Sequence, residues 1–325
     1  MIFKAFLFAA LAALGGTAVN AQDNVLTFSE ITSASIDQNV TKIVLGPKCL
    51  SGVWVPISIF TIEPADTVTV SSSPTNLVTV SNDGETMQFA WNANVATTVS
   101  FPDGGRGVII GIPAGQLKSV SVGCASSAQI MDGFTDVSSL DVYGASEVWA
   151  TFSSLVLPGL SLSVSGASTA HIKSNVDITG GSISGASNAD VETPAYTALD
   201  VRGDSSLGIV GDIGSGSVRG DSTVTATGSV TGSVNSFGAS TINAGSCGSS
   251  VSNSGASSCN SRIQSVTVDT SEQALTWNGK GKRRAVPNPN SSPKFSVATA
   301  PDVNTARTSC AATLVATASF LAFIF

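Results

Sequence analysis

The sequence predicts an all-β, single-domain parallel β-solenoid with coils of 17–22 residues. Between Val122 and Ser261 one phrase, apolar-x-Gly-x-Ser-x-apolar, occurs eight times, and its glycine positions are 20, 22, 19, 18, 17, 18 and 17 residues apart. A period of that length is typical of one coil in a stacked structure. Only 11% of the chain is charged, and its many small and β-branched residues favour strands and turns over helices.

Residues 1–21 are predicted to be a signal peptide. Lys4 is followed by an apolar run from Ala5 to Leu14, and the small residues around Val19 and Ala21 fit a signal-peptidase site. The mature chain is therefore expected to enter the secretory pathway and to reach the cell surface, either the outer leaflet of the plasma membrane or the cell wall.

Residues 305–325 are predicted to be a GPI-attachment signal. A polar stretch rich in small residues precedes 15 largely apolar residues at 311–325, which is the layout of such signals. The alternative is a membrane helix, but that requires about 20 apolar residues. Asn304 is the favoured attachment residue, and Ser309 is the second choice.

Residues 22–118 are predicted to form an irregular N-terminal β region that starts and caps the solenoid. Short apolar runs alternate there with Pro, Asn-Asp-Gly and Asp-Gly-Gly turn signals. The region passes through Ile112 and Leu117 into the first repeat without a linker. Asn39 begins the sequon Asn39-Val40-Thr41, so it is a candidate N-glycosylation site.

Residues 119–277 are predicted to form the repeat coils, in which alternation assigns the faces. In one coil Val164, Gly166 and Ser168 are expected to point inward, while Thr169 and His171 point outward. A buried hydroxyl must be hydrogen-bonded, so the repeated serine is interpreted as a structural ladder. Residues 262–277 are expected to add one or two final strands.

The outward positions change from coil to coil, so they form the candidate ligand face. Its members are Tyr143, Glu147, Trp149, Arg202, Asp204, Arg219 and Asp221. The two Arg-Gly-Asp triplets are interpreted as a charge ladder, because inward Gly203 and Gly220 do not suit an integrin-binding loop. A stacked acidic strip of Asp190, Glu192, Asp204 and Asp221 is a further possibility, and His171 is expected to be a solvated surface residue.

The five cysteines suit an oxidising compartment. Loss of the C-terminal tail removes Cys310 and leaves four. Cys124 lies in the first coil and Cys247 and Cys259 lie near the last, about seven strand spacings of ~4.8 Å away, beyond the reach of a disulfide. The predicted pairs are therefore Cys49–Cys124 and Cys247–Cys259.

Residues 278–304 are predicted to be a basic linker rich in proline and asparagine. The tract from Lys280 to Arg284 is interpreted as a solvated segment that contacts anionic lipid or wall polymer. The alternative is a processing site, with cleavage after Arg284.

The recurrent Ser-Gly-Ala-Ser phrase at 165–168, 184–187 and 254–257, led in by residues 107–126, resembles the autotransporter adhesin head GIN domain family. The resemblance covers roughly Phe28 to Asn260. It implies a β-solenoid with an adhesive role and no catalytic residue. This chain departs from the family pattern in its terminal signals, in Cys124 at the glycine position and in the Arg-Gly-Asp coils.

The sequence therefore predicts a non-enzymatic, GPI-anchored surface protein that serves in adhesion or structural display. Its expected partners are a membrane, through the GPI lipid, and an extracellular polysaccharide or another surface protein. A net charge of −7 argues against nucleic acid, and no cofactor or metal is expected. The alternatives are a carbohydrate-active β-helix enzyme and, third, a lattice- or ice-binding module.

Overall fold

A computed structural model describes residues 29–30, 39–47, 55–62, 68–74, 76–96, 107–261, 265–268, 270, 273–277 and 283–287. All of these residues belong to one compact unit that spans 28–297. Asn304, Cys49 and the predicted terminal signals lie outside the described residues, so the expectations about them stay predictions. Within the described part of the chain, no helix is both long enough and apolar enough to span a membrane.

The predicted parallel β-solenoid is confirmed, and it has eight coils. We number the coils 1 to 8 by the residue at one shared corner, which is Cys124, Gly144, Gly166, Gly185, Gly203, Gly220, Gly238 and Gly255 in turn. The strands that lead into this corner stack as the lead sheet, and the strands that follow it stack as the front sheet.

The strands of the lead sheet are β8 (Ser119–Val122), β10 (Ser139–Val142), β12 (Leu160–Val164), β14 (Ile178–Gly180), β15 (Ile183–Gly185), β19 (Val234–Gly238) and β21 (Val251–Gly255). The front sheet holds β9 (Ser126–Ile130), β11 (Glu147–Phe152), β13 (Thr169–Ser174), β18 (Thr223–Ala226), β20 (Thr241–Ala244) and β22 (Ser258–Ser261). Two long strands run from the front sheet of one coil into the lead sheet of the next, β16 (Asn188–Gly203) and β17 (Ser206–Gly220).

Parallel register places equivalent residues of successive coils over one another. Leu140 pairs with Val120 below and Leu162 above, and Val142 pairs with Val122 and Val164 in the same way. These side chains all lie in the buried core. Since every coil repeats the same inward positions, one continuous apolar column fills the solenoid from end to end.

The N-terminal strands extend both sheets and then end them. They are β1 (Ser29–Glu30), β2 (Lys42–Leu45), β3 (Val55–Ile62), β4 (Thr69–Ser72), β5 (Val78–Asp83), β6 (Thr86–Trp91) and β7 (Val108–Pro113), with one short helix, α1 (Ala93–Ala96). Parallel pairing joins β2 to β8 and β3 to β9. Beyond them the pairings of β5 with β6 and of β4 with β7 are antiparallel, which ends the parallel stack and limits its exposed edges.

The corner glycines do not point inward, so that prediction is wrong. Gly166, Gly185, Gly203 and Gly220 are exposed and have φ of +82° to +85°. The residue after each glycine donates its N–H to the corner carbonyl of the previous coil, as Ala186 does to Gly166 at 2.8 Å. A Cβ at Gly185 would lie 2.6 Å from that same oxygen, so a side chain does not fit this conformation and spacing.

The serine two residues after the corner is buried, as predicted, in coils 1 to 7. In coils 1 and 4 to 7 its hydroxyl closes the corner by donating to the carbonyl three residues earlier, as Ser187 does to Ser184 at 2.8 Å and Ser222 does to Arg219 at 2.9 Å. The serines therefore satisfy corner carbonyls as well as their own hydroxyls.

Of the segment 262–277, predicted to add one or two final strands, residues 265–268 and Thr270 form no strand, whereas Gln273–Trp277 does. Residues 265–268 and Thr270, which we call the strap, lie on the outer surface of the front sheet: Val266 packs at Gly208, and Thr270 Oγ1 lies 3.2 Å from Thr151 Oγ1. Beyond the strap, β23 (Gln273–Trp277) pairs antiparallel with β24 (Arg283–Pro287). A strand thus forms inside the segment predicted to be a linker, and it includes Arg284.

Candidate functional site

The seven residues of the candidate ligand face lie on two separate surfaces. Tyr143, Arg202, Asp204, Arg219 and Asp221 lie at or beside the corner, whereas Glu147 and Trp149 lie on the front sheet. The register that pairs Arg202 with Arg219, and Arg219 with Phe237 of the next coil, produces one column of side chains just before the corner. We call this column, which includes Tyr143, Arg202, Arg219 and Phe237, the corner column.

Tyr143 occupies the coil 2 end of the corner column and is half-buried. Its ring lies over Gly123 of coil 1, where an added Cβ would collide with the ring carbons. Gly123 has no positive φ that would demand glycine, so it is present because the tyrosine ring needs the space.

Arg202 is 58% exposed, and its guanidinium makes an ion pair with Asp200 through two nitrogen atoms. The hydrogen bonds from Arg202 hold the pKa of Asp200 below its ordinary value, with help from Ser217 of the next coil at 3.2 Å. The ion pair in turn raises the pKa of Arg202. This fixes the guanidinium in a planar, bidentate geometry at the surface.

Arg219 lies over the ring of Phe237, with the guanidinium carbon 5.5 Å from the ring centroid. Phe237 is 40% exposed, which is unusual for a large apolar side chain in this structure. The contact combines cation–π attraction with an accessible aromatic edge. Arg219 thus finds an aromatic partner, and the interleaved charge ladder predicted for these coils does not describe it.

Both Arg-Gly-Asp triplets form exposed corners rather than buried strand segments. Gly203 and Gly220 have φ of +83° and +82°, and Asp204 and Asp221 are exposed beyond them. The prediction that these glycines point inward, which was the argument against integrin binding, is therefore wrong. The guanidinium of Arg202 nevertheless folds back onto Asp200 rather than standing clear of the surface.

The front sheet carries Trp149, His171 and Asp190 in one outward column. The rings of Trp149 and His171 stack with centroids 5.9 Å apart, and His171 Nδ1 lies 3.4 Å from Asp190 Oδ2. Trp149 is only 4% exposed, so it is not an open part of a ligand face. His171, predicted to be solvated, is packed between its two partners. Glu147, on the same strand as Trp149, is half-buried.

The acidic strip does not form. Asp190 pairs with His171, and Glu192 pairs with Lys173 at 2.8 Å on the front sheet, whereas Asp204 and Asp221 lie at the corner. Among the described residues, no group of three or more His, Cys, Asp or Glu side chains could hold a metal ion.

The Cys247–Cys259 disulfide is confirmed, with a Cα–Cα distance of 6.0 Å. Cys124 is also disulfide-bonded, but its partner lies outside the described residues, so the pairing with Cys49 stays a prediction. Asn39 is exposed in a turn, and its glycosylation is likewise still a prediction.

Three parts of these surfaces were missed by the sequence interpretation: Asp200, Phe237 and the strap. Phe237 had a signal, because the spacing of 18 residues between Gly220 and Gly238 places it directly after Arg219 in the corner column. The strap had no such signal, because its sequence lacks the repeat phrase and the residue that Thr270 contacts, Thr151, lies 119 residues earlier in the chain.

No family model matches this chain, and no curated protein matches it. Among solved structures, a putative adhesin from Bacteroides fragilis NCTC 9343 aligns with 72% of this chain and 95% of its own, at 15% identity and a TM-score of 0.43. A second putative adhesin, from Parabacteroides merdae ATCC 43184, aligns with 72% and 94%, at 12% identity and a TM-score of 0.35. The fold assignment rests on the strand register described above.

Proposed function

We propose that this chain is a non-enzymatic cell-surface protein, held by a GPI lipid, whose solenoid displays the corner column for adhesion to an extracellular polysaccharide or another surface protein. The observation that carries the proposal is the corner column itself. Arg202 and Arg219 are adjacent in register on a rigid scaffold, one fixed by Asp200 and the other lying over Phe237.

The chemistry of this column suits an adhesive contact. A bidentate Arg–Asp pair offers a planar donor and acceptor set that matches vicinal hydroxyls or a carboxylate. Exposed aromatic and arginine side chains are also the residues most enriched at the centres of protein interfaces. Both arginines stand on hydrogen-bonded coils and contact a neighbouring side chain. Binding of a ligand therefore costs little conformational entropy of the protein.

The disulfide supports an extracellular location for this display. Stable disulfides are typical of secreted and surface proteins and are rare in the cytosol. Cys247–Cys259 closes the last turns of the solenoid. Membership of the GIN domain family and the GPI anchor at Asn304 are parts of the same proposal.

Treatment of intact cells with phosphatidylinositol-specific phospholipase C tests the anchor. We expect the lipase to release the protein into the medium, and retention on the cells after complete digestion of a known GPI-anchored control would overturn this part of the proposal.

A glycan array and a panel of surface proteins test the display. The released protein is compared with the Arg202→Ala/Arg219→Ala variant and with Lys173→Ala, a matched control that removes a cation from the front sheet. We expect the double variant to lose binding at least about tenfold while the control keeps it. Equal binding by all three proteins would show that the corner column is not the ligand face.

A further inference from the structure

The described residues of the strap, 265–268 and Thr270, lie on the front sheet between coil 5 and coil 2. Val266 and Val268 are half-buried while Ser265 and Thr267 are exposed, so alternate side chains face the sheet. The four residue steps from Val266 to Thr270 span about 13 Å when extended. The three strand spacings from coil 5, at Gly208, to coil 2, at Thr151, amount to about 14 Å.

The front sheet is shaped to receive the first strap side chain. Gly208 occupies the outward position that holds Asp190 in the coil below and Thr225 in the coil above. An added methyl group at Gly208 would lie 3.0 Å from Val266 Cγ1 and 2.6 Å from Asp190 Oδ1. Gly208 has no positive φ, so the glycine provides a notch into which Val266 packs.

The other end of the strap reaches strand β11. Thr270 and Thr151 are joined by a hydrogen bond between their hydroxyls at 3.2 Å. Trp149 lies two residues before Thr151 and points to the same side of the strand, yet it is only 4% exposed. The strap therefore spans a surface that extends from the notch to the neighbourhood of the stacked tryptophan.

Side-chain contacts rather than a backbone ladder hold the strap on this surface. A segment that crosses strands on the face of a sheet cannot join their hydrogen-bond pattern, which lies in the plane of the sheet. Among the described residues, no strand pairing joins the strap to the front sheet. Such a segment can leave without disturbing the coils beneath it.

We propose that the front sheet of coils 2 to 5 is a binding site for an extended polypeptide segment with small β-branched side chains at alternate positions, and that the strap occupies this site in cis. The Gly208 notch selects the first of these side chains, and Thr151 binds a hydroxyl four residues later. A second polypeptide of this pattern binds by displacing the strap.

A pair of engineered cysteines tests the position of the strap. In the full-length Thr151→Cys/Thr270→Cys variant we expect an intramolecular disulfide, detected by peptide mapping without reduction. The matched control is Thr241→Cys/Thr270→Cys, because Thr241 occupies a similar outward position in coil 7. No cross-link in the first variant, or equal cross-linking in both, would overturn the placement.

A labelled synthetic hexapeptide with the sequence of residues 265–270 tests the site. Val266→Asp in the full-length protein releases the strap and leaves the notch open, so we expect it to bind the peptide. Wild type should bind at least about tenfold more weakly, because its tethered strap competes at an effective concentration on the order of millimolar. Gly208→Ala/Val266→Asp is the matched control: its strap is released in the same way, but the added methyl group fills the notch.

The comparison between these variants decides the proposal. Binding by Val266→Asp but not by Gly208→Ala/Val266→Asp supports it. Failure of Val266→Asp to bind the peptide, or equal binding by both variants, would refute it even if the cysteine pair cross-links. Circular dichroism and an intact Cys247–Cys259 disulfide confirm folding, and Val266→Ser replaces the aspartate variant if that variant does not fold.

Discussion

Replacement of Gly185 by alanine tests the corner that sets the spacing between coils. At φ of +85°, a residue with a Cβ is destabilised by about 1–2 kcal/mol. The new Cβ would also lie 2.6 Å from the carbonyl oxygen of Gly166, so the coils must separate and weaken the 2.8 Å hydrogen bond from Ala186 N–H to that oxygen, at about 1 kcal/mol. We expect the free energy of unfolding to fall by about 2–3 kcal/mol.

Guanidinium denaturation followed by circular dichroism, with the disulfides intact, measures this loss. Gly180→Ala is the matched control, since it lies in the same coil, lacks a positive φ, and its added Cβ would be 3.7 Å from the nearest atom, Ser161 Oγ. We expect the control to change the stability by less than about 1 kcal/mol. Equal losses in the two variants would show that the corner imposes neither strain nor a steric limit.

Three further substitutions address side chains of the same coils. Ser187→Val removes the donor to Ser184 and should lower the free energy of unfolding by about 1–3 kcal/mol, measured by thermal melting; an unchanged melting temperature would contradict the role of the serine ladder. Tyr196 is fully buried and, among the described residues, its hydroxyl has no hydrogen-bond partner, and burial raises its pKa. Tyr196→Phe should therefore leave the stability unchanged or raise it by up to about 3 kcal/mol, and a clear loss in denaturant titration would reveal a partner. The lowered pKa of Asp200 stabilises the fold above about pH 4, the ordinary value for aspartate, and this contribution disappears as the pH falls through the folded-state pKa. Asp200→Asn should remove that pH dependence and lower the stability at pH 7 by less than about 1 kcal/mol; identical pH profiles of stability would count against the ion pair.

The fold was predictable because parallel stacking converts a sequence period directly into structure. The 22 residues between Gly144 and Gly166, for example, place Val164 over Val142 and His171 over Trp149. The buried position of the serine two residues after the corner was also predicted, from the alternation of inward and outward residues along the strand. Recognition of the repeat was thus sufficient to predict the strand order and most of the core.

The orientation of the corner glycines was mispredicted for a definite reason. Alternation along a strand holds only while the backbone stays extended, and Gly185 at φ of +85° turns the chain. The recurrence of glycine at this one position was itself the signal for a left-handed conformation. Partners such as Phe237 for Arg219 also depend on side-chain rotamers, which a repeat pattern does not specify.

The strap changes the point at which mechanical load enters the molecule. Without it, tension on the chain after Ser261 would act on coil 8 and peel the strands away one at a time. Thr270 is bound at Thr151 and Val266 at Gly208, so these contacts must break before tension from the chain after Thr270 reaches coil 8. The open C-terminal end of the stack is therefore loaded only after the strap has dissociated.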